Sequence, residues 1–403
     1  MELFWLEHKK LWRKKIVKIC VLLCFVYCVI FGSILSFQWF SFGSSDDYTS
    51  AFGNNFDGYT VIKDSQEYAL SFGGELTDET LQQIVSDYQQ MEADGMEKEL
   101  EKTDWQIVNS WLGTLYPELR DTSNYKTMIS YVDPDKLTGF YERRQQVLDE
   151  FLEISGQVGA EKEFLHQIER KVEKPFHYEW VEGWSTLLGS MVADLGVVMA
   201  LFLGIVLSSL FAGEWHDNTS TLVLTTRNGW GKIALAKILT GLAFTVELFA
   251  LLAVSSVISQ LFFMGTAGWD MPIQNIKLIA VAPMNMLQAE IYEYAFVLLG
   301  AIGFAGIVMF ISAAVKNNVL TLLLSLAVVY GPMMIAEYLP YEMQKALDLI
   351  PLVGSSTDIF RTNTFRILGK LIWSPYLLIT IPVLIGILCM PFAIKSWSRR
   401  MKA

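Results

Sequence analysis

The side chains that could do chemistry in this chain are scattered. Its four histidines, His8, His166, His177 and His216, are far apart, and there is no H-E-x-x-H pair and no Cys/His spacing of the kind a metal site needs. A Ser/His/Asp triad has no visible counterpart either. No G-x-x-x-x-G-K-[ST] stretch exists to cradle a phosphate, since Gly73-Gly74 and Gly229-Trp230-Gly231-Lys232 lack its spacing, so the chain has no sequence basis for hydrolysing ATP. Cys20, Cys24 and Cys28 fall at i, i+4, i+8 on one helix face, and Cys389 stands alone. Without histidines nearby, that row reads as small side chains packing against a neighbouring helix rather than as a metal or redox site. The chain is therefore expected not to be an enzyme and to hold no cofactor or metal.

One short polar stretch, 211 to 237, FAGEWHDNTSTLVLTTRNGWGKIALAK, is wedged between the apolar runs Leu187 to Ala212 and Ile238 to Phe263. So short a polar segment between two membrane spans must be a tight loop at the membrane surface. Glu214, His216, Asp217, Asn218 and Arg227 can there offer charge and hydrogen bonds to another protein. Glu247 stands apart, about ten residues into the second apolar run. A charge at that depth costs at least ~2.5 kcal/mol on insertion scales, which makes it the intramembrane candidate for a cargo or proton role. Asp194, Glu290 and Glu293, nearer the ends of their runs, read as interfacial.

The elements that position these residues follow from hydropathy and charge. Several runs exceed the roughly 18 apolar residues of a membrane helix, so the chain is an integral membrane protein. Residues 38–185 hold 29 acidic and 12 basic side chains, whereas the remainder is net positive. That split fits an acidic aqueous domain joined to spans with basic inner ends. Met1 to Lys18 carries six basic residues with Leu3, Phe4, Leu11 and Trp12 at helical spacing, an amphipathic helix for the inner leaflet. The expected plan is six transmembrane helices plus a mainly helical extracellular domain, with some α+β character, inserted between helices 1 and 2. In residue numbers it runs: surface helix 1–15, span 16–37, extracellular domain 38–185, spans 2–6 within 187–394 with a coupling loop at 213–236, and a cytoplasmic tail 395–403. Helical periodicity marks Thr77 to Met91, Asp104 to Tyr116, Tyr141 to Ile154 and Lys162 to Val172, and strands are expected near Tyr59 to Ile62 and Glu67 to Phe72. Residues 264–288 read as a short outer loop, Trp180 and Trp184 as an aqueous boundary, and 337–371 as an outer, partly re-entrant segment broken at Pro351 and Gly354.

Phe211, Glu214, Thr219, the LTTRNGWGK run from Leu224 to Lys232, and Lys237 resemble the first inner loop of type-2 ABC exporter permeases. The six-span plan, the basic start and the large domain between spans 1 and 2 are similar to a subgroup from Gram-positive bacteria. Asn218 stands where that family usually has glycine, and Trp230 where a basic residue is common. The resemblance implies that Glu214, Thr219, Arg227 and Lys237 couple the chain to a separate cytosolic ABC ATPase, which would carry the ATP and magnesium. It also implies a second permease subunit, identical or not, in the cell membrane, with both termini cytoplasmic and no nucleic-acid partner. The expected function is outward movement of a peptide, lipid or drug-like substrate. The alternative is a peptide sensor or immunity module that signals through the membrane without moving cargo.

Overall fold

A computed structural model describes residues 2–37, 66, 73–95, 105–121, 126–188, 192–217, 231–354 and 362–399. The chain begins with helix α1 (Glu2–Arg13), and α2 (Lys15–Phe37) follows after a single-residue break. A polar domain comes next: strand β1 (Gly74–Leu76), helices α3 (Asp78–Ala93), α4 (Trp105–Leu115), α5 (Phe140–Ile154) and α6 (Ala160–Glu169), strand β2 (Phe176–Tyr178), and the short helix α7 (Glu182–Thr186). Four long apolar helices succeed it: α8 (Val192–His216), α9 (Gly231–Met264), α10 (Met286–Val315) and α11 (Asn318–Ile335). A short helix α12 (Tyr341–Leu347), a hairpin of β3 (Thr364–Ile367) and β4 (Lys370–Trp373), and a last apolar helix α13 (Ser374–Arg399) complete the fold.

Five of the described helices, α8, α9, α10, α11 and α13, are long and apolar enough to cross a membrane, which makes this an α-helical membrane protein. Their packing rests on small residues, as lipid-embedded helices require for close approach. A Cβ built on Gly303 would lie 2.2 Å from the carbonyl oxygen of Pro382, and one on Gly306 2.4 Å from that of Gly386, so the backbones of α10 and α13 touch. One turn nearer the start of α10, Gly300 receives Leu352 from the 350–354 turn, and Leu352 and Val353 are buried in the bundle core. The Pro351–Gly354 break thus dips into the bundle. Cys20, Cys24 and Cys28 are buried in the same core.

The polar domain is helical where periodicity predicts helices, and its two strands pair antiparallel, Glu75 opposite His177. Strands expected at 59–62 and 67–72 lie outside the described residues. Sequence reading treats 38–185 as a body with its own core, but the structure shares that core with the spans. Met271, Ile273, Leu278, Val281, Met286 and Trp373 pack into one cluster with Trp111, Phe140, Leu148 and Phe176. The 264–288 segment is therefore a built part of the domain, and its apolar residues have no periodicity that would announce this. Arg144, fully buried, fastens the seam by donating from Nε to the Leu278 carbonyl at 2.7 Å, from Nη2 to that of Ala280 at 3.2 Å, and from Nη1 to Glu169 at 2.6 Å. Trp180 and Trp184, expected at an aqueous boundary, are buried instead and donate to the carbonyls of Met264 and Ala267. The β3–β4 hairpin joins the same assembly through Arg366 on Glu161 and Thr364 on Gln157. The bundle thus has one end built into the domain; the other carries α1, the start of α9, the α10–α11 turn and the end of α13.

Candidate functional site

At that second end, four charged side chains from three elements converge. Glu214, in the last turn of α8 and only 4% exposed, accepts on one oxygen from Lys10 Nζ of α1 at 2.6 Å and from Lys237 Nζ of α9 at 2.8 Å. Lys237, equally buried, also reaches Glu7 of α1 at 2.8 Å. The result is a Lys–Glu–Lys–Glu chain in which each buried charge meets an opposite one, the condition under which buried charge is tolerated. Lys14 donates to Ser209 Oγ at 2.9 Å beside it. Glu7, Lys10, Lys14, Glu214, Asp217 and Lys237 line a small cavity between α1, α8 and α9.

The local fold explains why these groups meet. Glu7 and Lys10 stand at i and i+3 on one face of α1, Leu11 beside them is buried, and Lys14 follows in the one-residue break before α2. The end of α8 is held by Ser312 of α10, whose hydroxyl donates to Ser208 O at 2.7 Å and accepts from the Phe211 and Ala212 amides. Phe211 and Trp215 pack against Trp397 of α13, and Lys316 lies 4.0 Å over the Trp215 ring. Burial works against the charge of Lys10, but the adjacent Glu214 carboxylate, helped by Glu7 and Asp217, outweighs it and raises the ammonium pKa. Lys14 goes the other way: burial first, then repulsion from Lys237 and Lys10, lowers its pKa.

Of the coupling residues expected from sequence, the structure joins Glu214 to Lys237. Thr219 and Arg227 lie outside the described residues. Glu247, expected within the hydrocarbon as the intramembrane candidate, has a side chain 42% exposed and is held by α1: Trp12 Nε1 donates to Oε2 at 3.0 Å, and His8 Nε2 lies 3.1 Å from Oε1. The His8–Trp12 pair is thus the second clasp of α1 on α9. The sequence carried a signal for it, the i, i+4 spacing of His8 and Trp12, but nothing in the sequence said which helix the face would meet.

Of the three carboxylates read as interfacial, two are buried. Glu290 and Glu293 of α10 are 4% and 0% exposed. Near them the Tyr294 hydroxyl and Ser256 Oγ of α9 are 2.8 Å apart. Compared with known proteins, the chain matches no protein-family model, no curated protein and no solved structure.

Proposed function

We propose that this chain is the membrane-spanning permease of an ATP-driven exporter, moving a peptide, lipid or drug-like substrate outward with hydrolysis on a separate cytosolic ABC ATPase. In this reading α2 is a sixth span, the 74–188 domain faces outward, both termini face the cytosol, and a second permease subunit completes the transporter. The observation that carries it is the Glu214 chain. The 218–230 connection, where a motor would dock, is flanked by α8 and α9, and Glu214 and Lys237 tie both flanks to α1. A push on that connection reaches three elements together, as a two-state coupling needs.

The test is reconstitution. Inside-out vesicles holding the chain and its ATPase should accumulate a fluorescent amphipathic peptide with ATP and not with a non-hydrolysable analogue. Equal accumulation under both conditions ends the transport reading. Topology is checked by cysteines at Ser86 and Ser155, both solvent-accessible, in a background lacking the native four. These should react with an impermeant thiol reagent on intact cells while one at Asn317 stays unlabelled. The sensor reading draws on a different observation, the core that the polar domain shares with residues 271–289. That seam would relay a ligand on the domain to the spans. It expects peptide binding without flux.

A further inference from the structure

α1 has two faces, and the bundle takes the one whose apolar residues the sequence offers to the leaflet. Leu11 is buried in the bundle core, the Trp12 ring meets that of Phe244 in α9 at 5.9 Å between centroids, and Glu7 and His8 reach Lys237 and Glu247. On the other side, Trp5, Lys9, Arg13 and Leu6 fall within an arc of about 100° at the helical angle of about 100° per residue. All four are exposed, Trp5 by 60% and Leu6 by 64%, and Glu2 at the start of the helix is the acid on that face.

The elbow into α2 extends this face. The first turn of α2 carries Lys15 and Lys18, both exposed, beside Ile16 and Ile19, which are 47% and 51% exposed, and exposed Leu22 and Leu23 follow. Lys10 is committed to Glu214, but Lys9, Arg13, Lys15 and Lys18 meet no carboxylate among the described residues. Unpaired cations, with an exposed tryptophan and leucine, thus stand where a long apolar helix begins. That combination matches an anionic bilayer surface. Indole rings settle at headgroup level, and lysine and arginine lay their stems along apolar surface with the charged heads among the phosphates. An acidic protein surface would answer the cations but leave the apolar row from Ile16 to Leu23, continuous with them, uncovered.

We propose that this face of α1 and the first turn of α2 bind anionic phospholipid headgroups of the leaflet at that end of the bundle. The inference rests on α2 being a span. The opposite face of α1 holds the Glu214 chain, so bound headgroups hold the same helix from outside.

Native mass spectrometry of the full-length protein in detergent, titrated with phosphatidylglycerol, phosphatidylcholine or inorganic phosphate, tests it. Phosphatidylglycerol should bind more tightly than phosphatidylcholine, and phosphate alone should leave no adduct. Each juxtamembrane cation contributes about five-fold, so Lys9→Gln combined with Arg13→Gln should weaken phosphatidylglycerol binding about twenty-fold, while Lys9→Arg combined with Arg13→Lys should retain it. Equal affinities for the two lipids, or a double glutamine variant with the wild-type preference, would overturn the proposal. So would phosphate binding as tight as that of the lipid, which assigns the cations to a soluble anion. Loss of ATPase co-purification in the double variant with lipid binding unchanged would assign the face to a protein instead. Should that variant melt below wild type, Lys15→Gln combined with Lys18→Gln decides by the same criterion. Leu23→Cys, in nanodiscs and in a background lacking the native cysteines, should resist an aqueous thiol reagent. Labelling there removes the span and the proposal together; protection with equal lipid affinities removes the lipid site alone.

Discussion

Glu214 and Glu290 are both 4% exposed, both on long apolar helices, and both near a helix end, yet the protein treats them in opposite ways. Glu214 has two ammonium groups within 2.8 Å; Glu290, among the described residues, has no counter-charge, its side-chain partner being the neutral Tyr294 hydroxyl. Burial by itself therefore says nothing about the role of a carboxylate. A paired one fixes geometry, because taking away either partner strands a charge in a place without water. One without a counter-charge puts no ionic tie between helices. The Glu214 chain ties α1, α8 and α9 together; Glu290 has no such tie among the described residues.

The sharpest test of that contrast is the sign of the effect on stability. Lys237→Met strands Glu7 and leaves buried Glu214 with Lys10 alone, and should cost about 3–5 kcal/mol, read as a loss of thermal stability in detergent. A variant within 1 kcal/mol of wild type, taking about 1 kcal/mol as a typical mutational effect, would erase the distinction. Close packing of α10 on α13 gives the next effect: Gly306→Ala places a methyl group against a backbone carbonyl that cannot retreat, at a cost of about 1–3 kcal/mol. Equal melting of Gly306→Ala and wild type would show that the helices separate easily. Glu290→Leu should move the other way, raising stability by about 1 kcal/mol, because a buried carboxyl without a counter-charge gives place to an apolar group of similar size. Destabilisation there would show that its hydrogen bond with Tyr294 outweighs the cost of burial.

The smallest effect concerns the seam between the polar domain and the spans. Burial tends to raise the Glu169 carboxyl, but hydrogen bonds and charge from Arg144 and Lys174 outweigh it and hold the pKa below the ordinary range. A folded pKa below the unfolded one gives stability that is present above about pH 4.3 and is lost as pH falls through the folded value. Protection factors at residues 277–282, corrected for the pH dependence of intrinsic exchange, should accordingly fall in acid and stay flat from pH 6 to 8. A fall on the alkaline side would assign the seam to another group.

Much of this was legible in the sequence. The apolar runs announced the bundle, and 3.6-residue periodicity announced α3 to α6, because both signals are local. Glu214 and Lys237 were legible because they flank a polar loop. Their partners were not: Glu7 and Lys10 lie more than 200 residues away, and an amphipathic face does not name the surface it will cover. The surroundings of Glu247 and Glu290 were not legible for a related reason. Position along an apolar run estimates depth, whereas exposure depends on the neighbours, and α1 meets Glu247 while the shared core closes over the end of α10.

The length of α9 has a mechanical consequence. Thirty-four residues at about 1.5 Å each make a rod of about 51 Å, against a hydrocarbon layer of about 30 Å. Even at a tilt of about 40°, the upper end of the usual range, its projection on the bilayer normal is about 39 Å, so the rod stands clear of the hydrocarbon. Its carbonyl at Met264 takes the Trp180 indole and its other end holds Lys237, so one unbroken helix joins the polar domain to the Glu214 chain.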